Sequence, residues 1–446
     1  MASQLLRTRS LFGALILSSL VFGGSGLAAC SSDPDPVKPA VDSGPTGDSD
    51  IPLPDSGEVD GGSDGGPVVV DQGVQVLGRV DTTLVTDTKT MVKARLSWPG
   101  SQIRAKFKGT EVKASFRETG GAGGPTFSQY IVSIDDAVVK TLKLKDGATI
   151  DEVLATGLPD AEHTVTIYRK TETQFGTTSF EGFDFGTGTV LPIERPSRRI
   201  EFIGDSITAG YGVDFRGPFD KDYPGVAGGF PPGPASATCW TVADSNSGGA
   251  IEARKDAENA MSSYGAVMGA ALKAEVSLVA WSGKGVVLNF EAVQTEKFPE
   301  VYDRAFAGTA TPKWDFTKWT PDLVVVNLGT NDFLAAPSGD PGVAFSTAYE
   351  NLLKRIRANH PNAWIYAIVG PMVAFGGPRE KSLEYIKEGA VKRLNTAGDT
   401  KIKVIEVLHT PPDLSKVGCE GHPYKDTNIN IADKIAGEAK LDIGWR

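Results

Sequence analysis

Four short segments carry groups suited to nucleophilic attack on a carbonyl. The first is Gly204-Asp205-Ser206-Ile207-Thr208, directly after the apolar run 200–203. A Ser at that junction holds its hydroxyl above the end of a strand. Its N–H opens a helix, where the peptide dipole favours a nascent anion. A helix N-cap is the bland alternative, since Ser performs that task often. The second segment is Trp281-Ser282-Gly283-Lys284-Gly285, again behind an apolar run. Glycine lets a backbone N–H approach a ligand closely, although a plain strand-to-helix turn also uses it. The third is Asn327-Leu328-Gly329-Thr330-Asn331-Asp332. The Asn331 amide can donate to the same oxyanion, or close an Asx-type turn.

The fourth element is a base. His422, in Glu420-Gly421-His422-Pro423, precedes the last helical stretch. Of the other three histidines, His163 lies in a β-rich region, His360 stands beside Pro361, and His409 ends a strand and is a rival. Each segment has an ordinary structural explanation when taken alone. Taken in order, Ser206, Gly285, Asn331 and His422 form a nucleophile, an oxyanion hole and a base, each behind a different element.

These residues need a sheet whose strand ends meet. Apolar runs at 200–203, 276–281, 323–328, 364–369 and 404–408 alternate with helical stretches at 259–272, 345–358, 381–394 and 429–441. That pattern implies an α/β domain with a parallel sheet covered on both faces. Ligands in such sheets sit at the carboxyl ends of the strands, where all four segments fall. Residues 213–255 interrupt the alternation. They are rich in Gly and Pro and leave directly from the nucleophile segment, so they are expected to wall the cleft.

Upstream, residues 68–190 show period-two alternation at 92–98, 103–107, 112–116, 130–134, 163–168 and 179–185, with glycine-containing turns and no helical stretch. A β-sandwich is expected there, serving either as a carbohydrate-binding module or as a packing partner. Residues 191–196 read as the connection to a catalytic domain at 197–446. Residues 31–67 hold Asp, Pro, Gly and Ser with almost no large apolar side chain. They form a tether reaching about 35 Å. Within it, Gly61-Gly62-Ser63-Asp64-Gly65 matches a G-x-S-x-G elbow in form, but lacks the strand and helix an elbow needs.

Residues 1–30 read as a targeting segment. Arg7 and Arg9 precede an apolar stretch at 11–22 that is too short to span a bilayer. Leu27-Ala28-Ala29-Cys30 resembles a bacterial lipobox, which implies lipidation at Cys30 and a cell-envelope lipoprotein. Ser31 and Ser32 after the Cys suggest the outer membrane by resemblance to Gram-negative sorting rules. An ordinary secretory signal is the alternative. The 45 basic against 55 acidic residues, net charge −10, exclude nucleic acid as the partner. The lipid anchor is the sole membrane contact expected. The few His and Cys are not spaced as metal ligands, and no metal or other cofactor is expected. Cys239 and Cys419 either pair in an oxidising compartment or stand as separate thiols.

The four catalytic segments resemble the blocks of the SGNH hydrolases. They are closer still to carbohydrate esterase family 2, the acetyl xylan esterase-like enzymes. Residues 195–208, Ser263-Tyr264-Gly265, 280–285, 328–333 and Gly421-His422-Pro423 carry the likeness, which runs from about Val76 to the C-terminus. The resemblance implies a three-layer, flavodoxin-like SGNH domain preceded by a jelly-roll β-sandwich. It also implies a serine acetylesterase acting on acetylated polysaccharides or oligosaccharides, without a cofactor. Ser206 N–H, Gly285 N–H and the Asn331 amide would form the oxyanion hole. Alternatives are an SGNH esterase for peptidoglycan, exopolysaccharide or lipid esters, and an inactive surface lectin. Many SGNH enzymes place Asp three residues before the His, where Cys419 stands here. Glu420 is then either the third catalytic member or a bystander to a Ser206–His422 dyad. A Cys239–Cys419 bond would tie the cleft-wall segment to the His422 loop.

Overall fold

The alternation read upstream builds a long, bent sheet. The computed structural model describes residues 69–71, 73–81, 94–120, 128–214, 255–290, 295–336, 339–372, 379–407, 418 and 421–445. Cys30, the tether, Cys239, the cleft-wall segment from 215 to 254, His409, Cys419 and Glu420 lie outside them. The first ten strands are β1 (Val69–Asp71), β2 (Gln75–Leu77), β3 (Ala94–Leu96), β4 (Gln102–Thr119), β5 (Gln129–Ile134), β6 (Ala137–Lys143), β7 (Gly147–Arg169), β8 (Thr177–Asp184), β9 (Thr189–Leu191) and β10 (Ile193–Arg195). Eight of them, β2 to β9, are hydrogen-bonded into one antiparallel sheet. The sheet encloses an apolar core that includes Phe107, Phe116, Tyr130, Ile167 and Phe180.

The runs at 103–107 and 112–116 are one strand, not two. Along β4 the buried side chains are the odd-numbered ones up to Gly109 and the even-numbered ones from Val112. The pairing with β7 shifts between Gly109 and Glu111. An irregularity there reverses which parity faces inward. The local pattern therefore breaks although the strand does not. The connection at 191–196 is also more ordered than a linker: β10 pairs antiparallel with β1, Val69 opposite Arg195.

After it come β11 (Arg198–Gly204), β12 (Ala274–Ala280), β13 (Leu323–Asn327), β14 (Trp364–Val369) and β15 (Ile402–Glu406). All pairs are parallel, in the order β12-β11-β13-β14-β15. This is the flavodoxin-like order, with β11, an inner strand between β12 and β13, feeding the nucleophile segment. The helices are α1 (Ser206–Ala209), α2 (Tyr264–Ala271), α3 (Phe298–Val301), α4 (Thr330–Ala335), α5 (Val343–Asn359), α6 (Arg379–Leu383), α7 (Lys392–Thr396) and α8 (Lys425–Ile443). A π-helical stretch, Glu384–Val391, joins α6 to α7. Alternate strand residues face two cores. Ile203, Val279, Val324 and Val326 pack with α5 residues on one face. Phe202, Leu278 and Val325 pack with α2 and α8 residues on the other.

The β-rich half and the α/β half share these cores. Trp98 is fully buried among Ile203, Val279 and Tyr302 of the α/β half. Ile131 and Tyr168 join the opposite face. Gly100 makes this approach feasible, because a Cβ there would stand 2.7 Å from the Leu278 side chain. Arg79 donates to Glu201 on the inner strand β11 at 2.8 Å, with both side chains out of contact with water. Burial pushes the Glu201 carboxyl up, but Arg79 and His360 outweigh it and hold it below its ordinary value. A buried charge is tolerable only when paired and hydrogen-bonded. The pair therefore fixes one half against the other.

Candidate active site

Parallel register brings the segments level. Gly204 pairs with Ala280 on one side and Asn327 on the other. Beyond Gly204 the chain turns at once: the Asp205 carboxylate accepts the Ile207 N–H at 3.1 Å and caps α1. Gly210 ends that helix with φ +80°, and a Cβ there would lie 2.4 Å from the Asn259 carbonyl. The helix is a single turn, so a macrodipole contributes little. What favours an anion here is the Ser206 N–H itself, which has no hydrogen-bond partner among the described residues.

The Ser206 hydroxyl donates to His422 Nε2 at 2.7 Å, and both residues are buried. Asn428, in the first turn of α8, holds the histidine loop. Its amide donates to the Pro423 carbonyl at 2.9 Å and the Tyr424 carbonyl at 3.1 Å. Its oxygen accepts the Tyr264 N–H at 2.9 Å. The Tyr211 ring lies 4.4 Å from the imidazole. The other described histidines are engaged elsewhere. His163 bonds Asp135 in the β-rich half at 2.7 Å, and His360 is buried beside Glu201.

The oxyanion donors need one correction. Gly285 donates its N–H to Asn289 Oδ1 at 3.1 Å. A Cβ there would stand 1.8 Å from the Leu288 carbonyl oxygen, so its glycine serves a tight turn. Gly283, two residues earlier, has φ +78° and an N–H with no partner among the described residues. It replaces Gly285 as the candidate donor. Asn331, at the start of α4, donates to the Lys284 carbonyl at 2.9 Å. Its amide nitrogen also stands 3.5 Å from Asp205 Oδ2, a contact weak enough for a substrate oxygen to displace.

Asp332 went unrecognised as a functional residue in the sequence. Its carboxylate accepts the N–H groups of Val286, Val287 and Leu288 at 2.9, 2.6 and 2.8 Å. It thereby fixes the turn that carries Gly283. The only sequence signal is its place after Asn331, which any acidic first-turn residue shares. Burial raises its carboxyl to about 6, against the pull of the three N–H donors. Burial raises Asp205 further, to about 7, with Asp332 and Glu172 adding repulsion and the Ile207 N–H opposing.

A hydroxyl bonded to an imidazole at the end of a parallel sheet, with the Asn331 amide near Asp205, is the arrangement of serine acylhydrolases of the SGNH class. The carbohydrate esterase 2 N-terminal model matches residues 76–193, and the GDSL-like lipase/acylhydrolase family model matches residues 202–407. The cellulase/esterase CelE of Acetivibrio thermocellus is 30% identical over 356 residues, 79% of this chain. The match spans 38% of that larger protein. An acetylxylan esterase/glucomannan deacetylase of Cellvibrio japonicus is 24% identical over 379 residues, 84% of this chain and 90% of that protein. A family two carbohydrate esterase from Clostridium thermocellum, solved in complex with cellohexaose, superposes with a TM-score of 0.68 at 28% identity. That match covers 84% of this chain and all of that one. The chain is thus similar to carbohydrate esterases of family 2 along both its β-rich and its α/β half.

The raised Asp205 carboxyl has a consequence for stability. An unfolded Asp ionises near pH 3.9, whereas the folded one holds its proton to about pH 7. Its contribution to stability is therefore present at low pH and lost as pH climbs between those values. Asp205→Asn keeps the cap, because the Asn oxygen also accepts the Ile207 N–H. Thermal unfolding from pH 4 to 8 is expected to show the variant gaining on the wild type up to about pH 7, then level. A difference independent of pH would show the carboxylate ionised throughout.

Proposed function

We propose that this protein removes acetyl groups from the hydroxyls of polysaccharides or oligosaccharides through an acetyl-Ser206 intermediate. The observation that carries the reading is the 2.7 Å Ser206–His422 hydrogen bond, together with the N–H groups of Ser206 and Gly283, which have no partner among the described residues. The matches to the carbohydrate esterase 2 N-terminal model and the GDSL-like lipase/acylhydrolase model support the same chemistry. A relative named for glucomannan deacetylation and a related structure holding cellohexaose favour a sugar polymer as the alcohol component.

Ser206 Oγ attacks the acetyl carbon while His422 Nε2 takes its proton. The carbonyl π electrons move onto oxygen, where Ser206 N–H, Gly283 N–H and the Asn331 amide receive them. Each such donor supplies about 2.7–4 kcal/mol of transition-state stabilisation. The intermediate collapses, the C–O bond to the sugar breaks, and the imidazolium protonates the departing oxygen. Water then attacks acetyl-Ser206, giving its proton to His422. The bond from the acyl carbon to Ser206 Oγ then breaks, the imidazolium returns its proton to Oγ, and acetate leaves. Glu420, two residues before the base, is the candidate to orient the imidazole.

The wild type is expected to release acetate from acetylated xylan or glucomannan, and Ser206→Ala to lose at least 10³-fold in kcat. Equal rates for the two proteins would end the esterase reading. Release from acetylated peptidoglycan, but not from the plant polymers, would move the substrate to another acyl ester. For Glu420→Gln, a fall in kcat near 10⁴-fold is the expected sign of a catalytic triad, and a fall below about tenfold the sign of a dyad.

Lipidation at Cys30, on the strength of the lipobox-like tetrapeptide, would hold the enzyme at the cell envelope. Metabolic labelling with a fatty acid should mark the wild type and not Cys30→Ala. An unlabelled wild type would leave an ordinary secretory signal.

A further inference from the structure

The β-rich half reaches into the catalytic site through one side chain. Glu172 lies just beyond β7, in the turn that leads to β8, and is wholly buried. Its Oε2 accepts the Ser282 N–H at 2.6 Å, and its Oε1 accepts the Ser282 hydroxyl. Both carboxylate oxygens are spent on the residue directly before Gly283. We propose that Glu172 is a positioning residue for the oxyanion hole, holding the Ser282–Gly283 peptide so that the Gly283 N–H faces the reacting carbonyl. The proposal rests on the esterase reading above.

The geometry has a direct mechanical meaning. The Gly283 N–H belongs to the peptide plane that starts at the Ser282 carbonyl carbon. With the Ser282 nitrogen and hydroxyl both fixed, that plane turns only about the one backbone bond of Ser282 that leads into it. Asp332 fixes the far side of the same turn through residues 286–288. Gly283 therefore sits between two buried carboxylates, one from each half of the molecule.

The anchor behind Glu172 is equally constrained. Arg169 donates to the carbonyls of Thr171, Glu172 and Gly176 at 3.0, 3.0 and 2.7 Å, which stiffens the turn. The Lys170 carbonyl accepts the Ala260 N–H at 3.0 Å, and Lys170 Nζ donates to the carbonyls of Lys255 and Asp256. The Glu172 N–H donates to Glu258 at 3.2 Å. The turn is thus clamped to the α/β half before its carboxylate reaches Ser282.

Electrostatics rules out a direct role. A negative charge here adds to the repulsion that raises Asp205 and would oppose an oxyanion. Glu172 contributes through orientation instead. Misplacing an oxyanion donor by about 1 Å costs on the order of 10²-fold in rate.

The test compares Glu172→Ala, Glu172→Gln and Ser282→Ala in the full chain, assayed with an aryl acetate well below each melting temperature. Glu172→Ala is expected to lose about 10²-fold in kcat with KM changed less than about threefold. The acid limb of its pH profile, which reports His422, should not move. Glu172→Gln should recover to within about tenfold of the wild type, because its amide can accept the N–H and donate to the hydroxyl. Ser282→Ala keeps the N–H bond and loses one anchor, so kcat should fall about tenfold. That variant decides the matter if Glu172→Ala fails to fold. Kcat unchanged in Ser282→Ala and in any folded Glu172 variant would overturn the proposal, whatever happens to melting temperature. A wild type without Ser206-dependent hydrolysis would remove the esterase reading, and this proposal with it.

Discussion

The level ends of three parallel strands are the constraint on which the site depends. Gly204, Ala280 and Asn327 stand side by side in hydrogen-bonded register, so the chain leaves the sheet three times at one height. Ser206, Gly283 and Asn331 follow these exits within a few residues. A slip of one residue in either pairing would turn every side chain of that strand to the opposite face. The separate apolar cores on the two faces of the sheet resist such a slip, because Ile203 and Phe202 each belong to only one of them. The catalytic geometry is in this sense a by-product of packing.

Buried carboxylates refine what the register brings together. Asp205, Asp332 and Glu172 are all excluded from water, and each accepts backbone N–H groups near the reaction site. Backbone donors are useful to catalysis only when their direction is set before the charge develops. Acidic side chains do this well, since one carboxylate can hold two or three N–H groups. The raised carboxyls of Asp205 and Asp332 are the physical cost of that arrangement, as burial disfavours the charged form.

The two halves of the chain act as one body for the same reason. Trp98 enters the core beneath the parallel sheet, Arg79 neutralises Glu201 on β11, and Glu172 reaches Ser282. All described residues fall in one compact unit. A module that only bound substrate would need none of these buried polar contacts. The sequence left open a binding module or a packing partner for the β-rich half, and these contacts are those of a packing partner.

Much of this was legible in residue order. The apolar runs gave every strand of the parallel sheet, and Ser206, Asn331 and His422 lie together in the site as their positions behind those runs implied. Local pattern failed where one residue changes the count, as at the β4 irregularity that split a single strand into two apparent ones. It also failed between Gly285 and Gly283. Distance past a strand end does not reveal that Asn289 takes up one N–H and leaves the other. By itself the sequence determined the alternation that builds the sheet and the types of group delivered to its edge, because periodicity and motif are local properties. Only the tertiary structure decided which N–H stays unpartnered and which distant carboxylate aims it. Glu172 meets Ser282 across 110 positions of chain, and nothing near either residue announces the contact. The Ser206 segment was readable from its own neighbours, whereas the Glu172–Ser282 contact is set by packing between the two halves.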